Sequence, residues 1–297
     1  MDSVDPDDLP GRTAFVFGGG ASLGAVQLGM LRAVLERGFQ PDLVLGTSVG
    51  AINGAFMAES FDHDRLQELI RIWSNLQTGD VFPSRGWGAA YDTLVGRGPP
   101  SLASHDGLRD LLRGWIPSAH GELDVPCHVV ATDLLTGERV VFDEGPLEPH
   151  LLASSAIPGV YPPVQSGDRT LVDGGVAANV PVLPARTAGA TSIIVLDPGY
   201  PCALTEPPAG AIGYAMHVVT LMLRHQSHGA LHFLGDEAVV LYPTPPCPLS
   251  VPPHRFDRTG ELVDRGYEAA LEFFDGLAGD GPGVYGHPHF HPPEPAV

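Results

Sequence analysis

Apolar residues occur along the chain in two alternating patterns, short continuous runs and longer runs at helical spacing. The first continuous run, TAFVF at residues 13–17, ends in three glycines and predicts a buried strand that leads into a turn. The helix predicted after it ends near Gly38, and its apolar positions recur every three or four residues: Leu28, Leu31, Val34 and Leu35. A second strand is predicted at residues 41–46 and a second helix at residues 49–59.

The same alternation continues through most of the chain. A third helix, capped by Asp62, is predicted from an apolar face made of Leu66, Leu69, Ile70, Trp73 and Leu76. Further helices are predicted over residues 108–115, 147–155, 211–225 and 260–275, and further strands within residues 125–145, 169–175, 191–199 and 238–243. Strands that alternate with helices favour an α/β fold in three layers (α/β/α), with a mainly parallel central sheet covered on both faces. We expect one domain over residues 12–275.

Three segments do not fit this alternation. Residues 1–11 predict a flexible leader. Residues 276–297 are too rich in Gly, Pro and His to pack, and they predict a disordered tail. Residues 79–103 mix Gly and Pro with aromatic side chains, which is typical of a long loop or a short-helix lid that has a function.

Composition and charge narrow the function classes. A chain of 297 residues with 43% apolar residues can bury a substantial core and is too apolar for disorder. The net charge of −19 argues against a nucleic-acid partner and against electrostatic attraction to anionic membranes. No run reaches the roughly 18 apolar residues of a spanning helix, and the start has no pattern of a secretory signal. The three cysteines are widely spaced and odd in number, so we expect reduced thiols and a cytoplasmic protein.

The stretch DLVLGTSVGAINGAF, residues 42–56, places a serine where a predicted strand turns into a helix. Its G-x-S-x-G pattern is that of a nucleophile elbow, in which Gly46 and Gly50 let the chain turn tightly and Ser48 is held up at the edge of the sheet. The N-terminal dipole of the following helix favours negative charge at the serine. The alternative interpretation is a serine N-cap in an ordinary strand-to-helix turn.

An earlier glycine turn, FGGGASLGAVQLGML, also joins a predicted strand to a helix. It does not match a dinucleotide fingerprint, because Gly24 lies one residue too far from Gly20, and it lacks the Gly-Lys-Ser/Thr of a phosphate-binding loop. A row of backbone N–H groups at a helix start can instead stabilise the oxyanion of a tetrahedral intermediate. A flexible turn with tight helix packing is the simpler alternative.

Three acids and several histidines are candidates for the base that activates the serine. Asp173 closes an apolar strand and precedes two glycines, which makes it the best-placed acid, with Asp133 and Asp197 as rivals. None of the histidines after Asp173 ends a strand as a triad histidine would. Three of these histidines lie on one side of a predicted helix: His225, His228 and His232. We expect a solvated or packed helix face there and no metal site. The residues therefore favour a carboxylate that acts directly on the serine.

Five segments in order resemble the patatin-like phospholipase family: GGGASLGAVQLGML, GTSVGAING, ATDLLTGE, ASSAIPGVYPP and VDGGVAANVP, within about residues 12–200. The resemblance implies a flavodoxin-like α/β architecture and a Ser-Asp dyad that needs no metal or cofactor. By motif position, Ser48 is the implied nucleophile and Asp173 the implied general base. The implied oxyanion donors are Gly19, Gly20 and Ala21, and the implied framing glycines are Gly46, Gly50, Gly174 and Gly175.

Two positions depart from that family's pattern. Leu23 stands where Arg or Lys is usual, which removes a cation that could steer an anionic head group. Ala21 stands where glycine is usual, and its N–H donates as well as that of glycine if its φ angle is negative. Both departures bear on substrate preference more than on reaction type.

The expected function is hydrolysis of lipid carboxylic esters, as by a phospholipase A or lysophospholipase. The expected partners are a lipid or ester substrate and a transiently contacted membrane surface. Three aromatic side chains of the loop, Phe82, Trp87 and Tyr91, could form a lipid-accepting rim together with the apolar helix at residues 211–225. Two alternatives stay open, a Ser-His-Asp esterase of the α/β-hydrolase type and a non-catalytic binding module on the same fold.

Overall fold

The computed structural model describes residues 6–82, 101–204, 206–208, 210–234, 237–277 and 281–289. These residues form one nine-stranded sheet with helices on both faces. The strands are β1 Thr13–Phe17, β2 Leu43–Thr47, β3 Cys127–Asp133, β4 Arg139–Phe142, β5 Val164–Ser166, β6 Arg169–Asp173, β7 Ser192–Leu196, β8 Val239–Tyr242 and β9 Gly283–Gly286. The helices are α1 Ala25–Glu36, α2 Val49–Ala58, α3 His63–Asn75, α4 Thr78–Val81, α5 Asp106–Trp115, α6 Leu147–Ser154, α7 Gly175–Ala178, α8 Val182–Thr187, α9 Gly210–Leu234 and α10 Thr259–Gly276. Short 3-10 helices cover Pro6–Asp8, Ala21–Gly24 and His120–Glu122.

The strand order is β5-β6-β3-β2-β1-β7-β8-β9, with β4 also paired to β3. The run from β3 through β2, β1, β7 and β8 to β9 is parallel, as the alternation of strands and helices predicts. Strands β4, β5 and β6 add antiparallel pairs at the other end. The mainly parallel α/β fold predicted from the sequence is therefore confirmed.

The central strands are buried on both faces, so their side chains pack alternately into two separate hydrophobic cores. Phe15 and Phe17 belong to the larger core, which is covered by α1, α2, α3 and α10. Ala14 and Val16 belong to the second core, beneath α8 and α9. Helix α3 begins as predicted, because the Asp62 carboxylate accepts the Arg65 N–H at 2.8 Å.

The parallel strands β1 and β2 end at the edge of the sheet where the chain enters the glycine turn and the serine turn. Carboxyl ends of parallel strands are the usual place for a site in an open α/β sheet. The topology therefore brings the two motifs of the sequence to one edge.

The predicted ends of the domain need correction. Residues 283–286, inside the predicted disordered tail, form β9, which pairs in parallel with β8. Pro6–Asp8, inside the predicted flexible leader, forms a 3-10 helix. Both corrections have the same reason. Backbone hydrogen bonds can form a strand or a turn even in a segment with few apolar side chains, which the apolar pattern does not predict.

Two further predictions concern the loop and the helix beside the sheet. Helix α9 extends to Leu234, well beyond the predicted end at residue 225. Helix α4, Thr78–Val81, overlaps the start of the predicted 79–103 loop, while residues 83–100, with Trp87 and Tyr91, lie outside the described residues. No helix among the described residues has the length and apolar character needed to cross a membrane.

Candidate active site

The serine elbow has the geometry of a strained strand-to-helix turn. Ser48 adopts φ 55° and ψ −128°, in the left-handed half of φ space that non-glycine residues avoid. A Cβ on Gly46 would lie 2.4 Å from the Cα of Ala51, and one on Gly50 would lie 2.4 Å from the Phe17 carbonyl oxygen. Only glycine fits at these two positions, so both framing glycines predicted from the motif have a steric reason.

The backbone of the elbow is fixed by Ser154, which lies in the segment ASSAIPGVYPP but to which the sequence motifs assign no role of its own. The Ser48 N–H donates to Ser154 Oγ at 2.8 Å, and that hydroxyl donates to the Val130 carbonyl at 2.6 Å. Ser154 therefore ties the end of α6 to β3 and to the serine turn. Its signal in the sequence is its place in the segment ASSAIPGVYPP, at the end of an apolar helix.

The Ser48 hydroxyl lies beside the Asp173 carboxylate and lowers its pKa. Both side chains are buried, with Ser48 6% and Asp173 7% exposed. Burial raises the pKa of Asp173 to about 6, against the opposing effects of the Ser48 hydroxyl and the Gly175 N–H. That N–H donates to Asp173 Oδ1 at 2.7 Å. The carboxyl is therefore oriented, desolvated and able to titrate near neutral pH.

The two glycines after Asp173 sit in crowded places. A Cβ on Gly174 would lie 2.1 Å from the Val130 carbonyl oxygen, and one on Gly175 would lie 3.0 Å from Asp173 Oδ1. These framing residues let the chain leave β6 against the backbone of β3 and start α7 directly beneath the carboxylate.

The two rival acids are engaged elsewhere. Asp133 Oδ1 accepts the N–H groups of Leu135 and Thr136, so this carboxylate shapes the turn between β3 and β4. Asp197 accepts the Tyr242 hydroxyl at 2.5 Å and the Gly199 N–H at 3.0 Å. Of the three candidate acids, Asp173 is the one whose pKa the Ser48 hydroxyl lowers, although Asp197 lines the same cavity.

The glycine turn lies beside Ser48 but differs from the prediction in one donor. The Gly19 N–H donates to the Asn179 carbonyl at 3.0 Å, so this amide already has an acceptor. Within the described part of the chain, the N–H groups of Gly20 and Ala21 have no acceptor, and both residues line the same cavity as Ser48. Of the three predicted donors, Gly20 and Ala21 therefore remain candidates, while the Gly19 amide already has an acceptor.

The departures at positions 21 and 23 have different structural consequences. Ala21 adopts φ 49°, a conformation that favours glycine, so the condition of a negative φ is not met at this position. Leu23 is 1% exposed and belongs to the larger core. The position that carries a cation in the family pattern is thus part of the packing here.

A buried network of hydrogen-bonded side chains contacts the backbone of the glycine turn. Gln27 Nε2 donates to the carbonyls of Gly18 at 2.7 Å and Leu196 at 2.8 Å. Asn53 Nδ2 donates to Gln27 Oε1 at 2.9 Å, and Trp73 Nε1 donates to Asn53 Oδ1 at 3.0 Å. The network joins α1, α2 and α3 beneath the site. Its signal in the sequence is a pair of amides within otherwise apolar helices.

A cavity of about 550 Å³ opens onto Ser48 and Asp173. Apolar side chains from several elements line most of it, among them Ile157, Val219 and Leu223. A second cavity of about 60 Å³ also reaches Ser48 and shares Phe82 and Ile157 with the first. The first volume is that of a small-ligand site.

The cavity lining carries few charges. Arg224 of α9 is its only Arg or Lys among the described residues, and the guanidinium carbon lies 4.8 Å from the centre of the Tyr200 ring. His254 and His289 also line the cavity. Among the described residues, no histidine is hydrogen-bonded to Ser48 or Asp173.

Comparisons with known proteins agree with these motifs. Residues 15–186 match the family model of the patatin-like phospholipases. An uncharacterized NTE family protein of Mycobacterium tuberculosis is 32% identical over 192 residues, which cover 63% of this chain and 49% of that protein. The human patatin-like phospholipase domain-containing protein 6 is 30% identical over 203 residues, which cover 64% of this chain and 14% of that protein.

The match thus spans about half the length of the mycobacterial relative and a much smaller part of the human one. Among solved structures, VipD from Legionella pneumophila superposes with a TM-score of 0.46 at 15% identity, covering 90% of this chain and 67% of that chain. Because the family model covers more than half of the 297 residues and includes both the serine turn and Asp173, the chain belongs to the patatin-like phospholipase family.

Proposed function

We propose that the chain is a serine acyl hydrolase that cleaves lipid carboxylic esters through a Ser48–Asp173 dyad. Family membership supports lipid hydrolase activity in general. The observation that carries the finer proposal is the placement of the Ser48 hydroxyl beside the buried Asp173 carboxylate, whose pKa it lowers, at the wall of a largely apolar cavity. An alcohol that donates directly to a desolvated carboxylate is set up for deprotonation as it attacks a carbonyl.

In the proposed reaction, Asp173 accepts the hydroxyl proton while Ser48 Oγ forms a bond to the ester carbonyl carbon. The tetrahedral intermediate collapses, its C–O bond to the alcohol breaks, and the leaving alcohol takes the proton back from Asp173. Water then attacks the acyl-enzyme, with Asp173 again accepting a proton and returning it to Ser48. Burial helps this chemistry, because it raises the pKa of Asp173 to about 6 and makes the carboxylate a better base.

The N–H groups of Gly20 and Ala21 are the proposed oxyanion donors. They line the cavity together with Ser48, and they stand at the start of the 3-10 helix Ala21–Gly24. Loss of one such donor typically costs about 10²–10³ in rate. We propose no such role for the Gly19 amide, because the Asn179 carbonyl occupies it.

The cavity favours a substrate with an apolar acyl chain and an anionic head group. Its apolar lining suits the acyl chain, and Arg224 is the cation that could meet a phosphate. Stacking on Tyr200 holds the Arg224 guanidinium at the cavity wall. A lysophospholipid meets both requirements with a single acyl chain, so we propose this substrate class.

Purified protein assayed against p-nitrophenyl esters and lysophospholipids tests the proposal. Ser48→Ala and Asp173→Asn should each lower turnover at least about 100-fold while the protein stays folded. His254→Ala should stay active. Near-normal turnover by Asp173→Asn, with loss of activity in His254→Ala, would point to a Ser-His-Asp esterase. A wild-type protein that hydrolyses none of these esters would point to a binding module.

A further inference from the structure

Three ligand-type residues follow three neighbouring strands. The parallel strands β7, β8 and β9 lie side by side, so their carboxyl ends meet at the same edge of the sheet. Cys202 follows β7, Cys247 follows β8, and His289 follows β9. The topology therefore gathers two thiols and one imidazole from segments far apart in sequence.

The side chains meet closely at that edge. The Sγ atoms of Cys202 and Cys247 are 3.7 Å apart. One ring nitrogen of His289 and the two sulfurs all lie within 4.8 Å of one another. The Leu249 N–H donates to Cys202 Sγ at 3.3 Å, and the Ala203 N–H donates to the Leu249 carbonyl at 3.1 Å. Backbone bonds thus hold the two cysteine loops against each other.

We propose that Cys202, Cys247 and His289 bind a Zn²⁺ ion, with the fourth position taken by water or an exchangeable ligand. Two thiolates about 2.3 Å from a tetrahedral Zn²⁺ are about 3.8 Å apart, close to the sulfur separation found here. A disulfide would need about 2.05 Å. An N–H group donating to a ligand sulfur is the kind of outer contact that metal thiolates use. Each cysteine binds as its thiolate, so uptake releases two protons to solvent.

The site would affect the shape of the catalytic cavity. His289 lines that cavity, and so do Tyr200 and Pro201, which immediately precede Cys202. A metal bound here would join the C-terminal segment after β9 to the loops after β7 and β8. This proposal rests on the cluster geometry and does not depend on the hydrolase activity.

Metal uptake by the full chain tests the site. Apo protein, reduced and then freed of reductant, is titrated with Co²⁺ and then with Zn²⁺, and thiolate-to-cobalt charge transfer is recorded. We expect one ion per chain, with zinc displacing cobalt. Cys202→Ser and Cys247→Ser should weaken zinc binding at least about 100-fold, since loss of an outer contact alone typically costs 10–100-fold. Cys127→Ala, in the buried third cysteine of β3, is the matched control and should bind normally.

Several results would overturn the proposal. These are reduced wild-type protein that takes up no zinc, uptake that Cys202→Ser and Cys247→Ser leave unchanged, and a cobalt spectrum without thiolate bands. If the variants fail to fold, X-ray absorption at the zinc edge of the unmodified protein decides the question. A shell with two sulfurs at about 2.3 Å supports the site, and a shell of oxygen and nitrogen alone rejects it.

Discussion

The Ser48 hydroxyl lies beside the Asp173 carboxylate and lowers its pKa, although their strands are not neighbours in the sheet. Strand β3 lies between β2 and β6. Thr47 pairs with Val130 of β3, and Asp173 pairs with Ala131, the next residue along the same strand. Because Thr47 and Asp173 pair with adjacent residues of β3, the register of β3 places the Asp173 carboxyl next to Ser48. The contact follows from sheet pairing rather than from a flexible loop.

The pH dependence of hydrolysis should follow Asp173. A general base works when ionised, and burial raises the pKa of this carboxyl to about 6. We expect kcat/KM for a neutral p-nitrophenyl ester to rise as pH increases through about 6 and then to level off. A neutral ester keeps substrate ionisation out of the profile. A rate that stays constant from pH 4.5 to 8 would contradict this assignment.

The same carboxyl should lower stability at neutral pH. Its folded-state pKa of about 6 lies above the ordinary value of 3.8, so folding disfavours the ionised form. The cost is absent below about pH 4, grows as pH rises to about 6, and at pH 7 reaches about 3 kcal/mol at most. Asp173→Asn removes that cost, and we expect a larger unfolding free energy than wild type at pH 7 but not at pH 4. Denaturant unfolding of both proteins at pH 4 and at pH 7 measures the difference in unfolding free energy. The same difference at the two pH values would refute the prediction.

Ala21→Gly should relieve backbone strain. Ala21 adopts φ 49°, where an L-residue costs about 1–2 kcal/mol, while the entropy of a new glycine costs about 0.5–1 kcal/mol. The expected result is a gain of up to about 1 kcal/mol in unfolding free energy. Ala25→Gly, at φ −61°, is the control and should lose stability. Loss of stability in both variants would show that the strain at position 21 is unimportant.

Arg224→Gln should change head-group preference. A charged hydrogen bond of about 1.5–3 kcal/mol corresponds to about 10–100-fold in kcat/KM for an anionic lysophospholipid. Turnover of an uncharged p-nitrophenyl ester should change little. Arg258→Gln, which removes a half-exposed arginine paired with Glu261, is the matched control. Equal losses on both substrates would assign Arg224 a packing role instead.

The sequence predicted the parts of the site that depend on local turns. G-x-S-x-G places Ser48, and the steric crowding at Gly46 and Gly50 explains why the pattern needs those residues. The apolar runs of β1 and β2 predicted buried parallel strands, which the structure confirms. The elbow pattern and the apolar runs are local signals, so periodicity and glycine positions suffice to find them, although the Phe17 carbonyl that crowds Gly50 is distant in sequence.

Features that depend on distant pairing could not be read in this way. Nothing local to RTLVDGG indicates that β6 runs antiparallel to β3, yet this direction brings Asp173 to the serine. The acceptor of the Gly19 amide is the Asn179 carbonyl, which is distant in sequence. The pairing of β9 with β8 turns part of a Gly-rich tail into sheet and brings His289 to the two cysteines.

The sharpest test of the Ser48–Asp173 dyad is the rate at which a fluorophosphonate probe labels Ser48, followed by mass spectrometry. The Ser48–Asp173 dyad predicts that wild type and His254→Ala are modified at Ser48 at similar rates. It also predicts that folded Asp173→Asn is modified at least about 100-fold more slowly. Labelling of Asp173→Asn at the wild-type rate, with loss of labelling in His254→Ala, would contradict the proposal that a carboxylate alone activates Ser48.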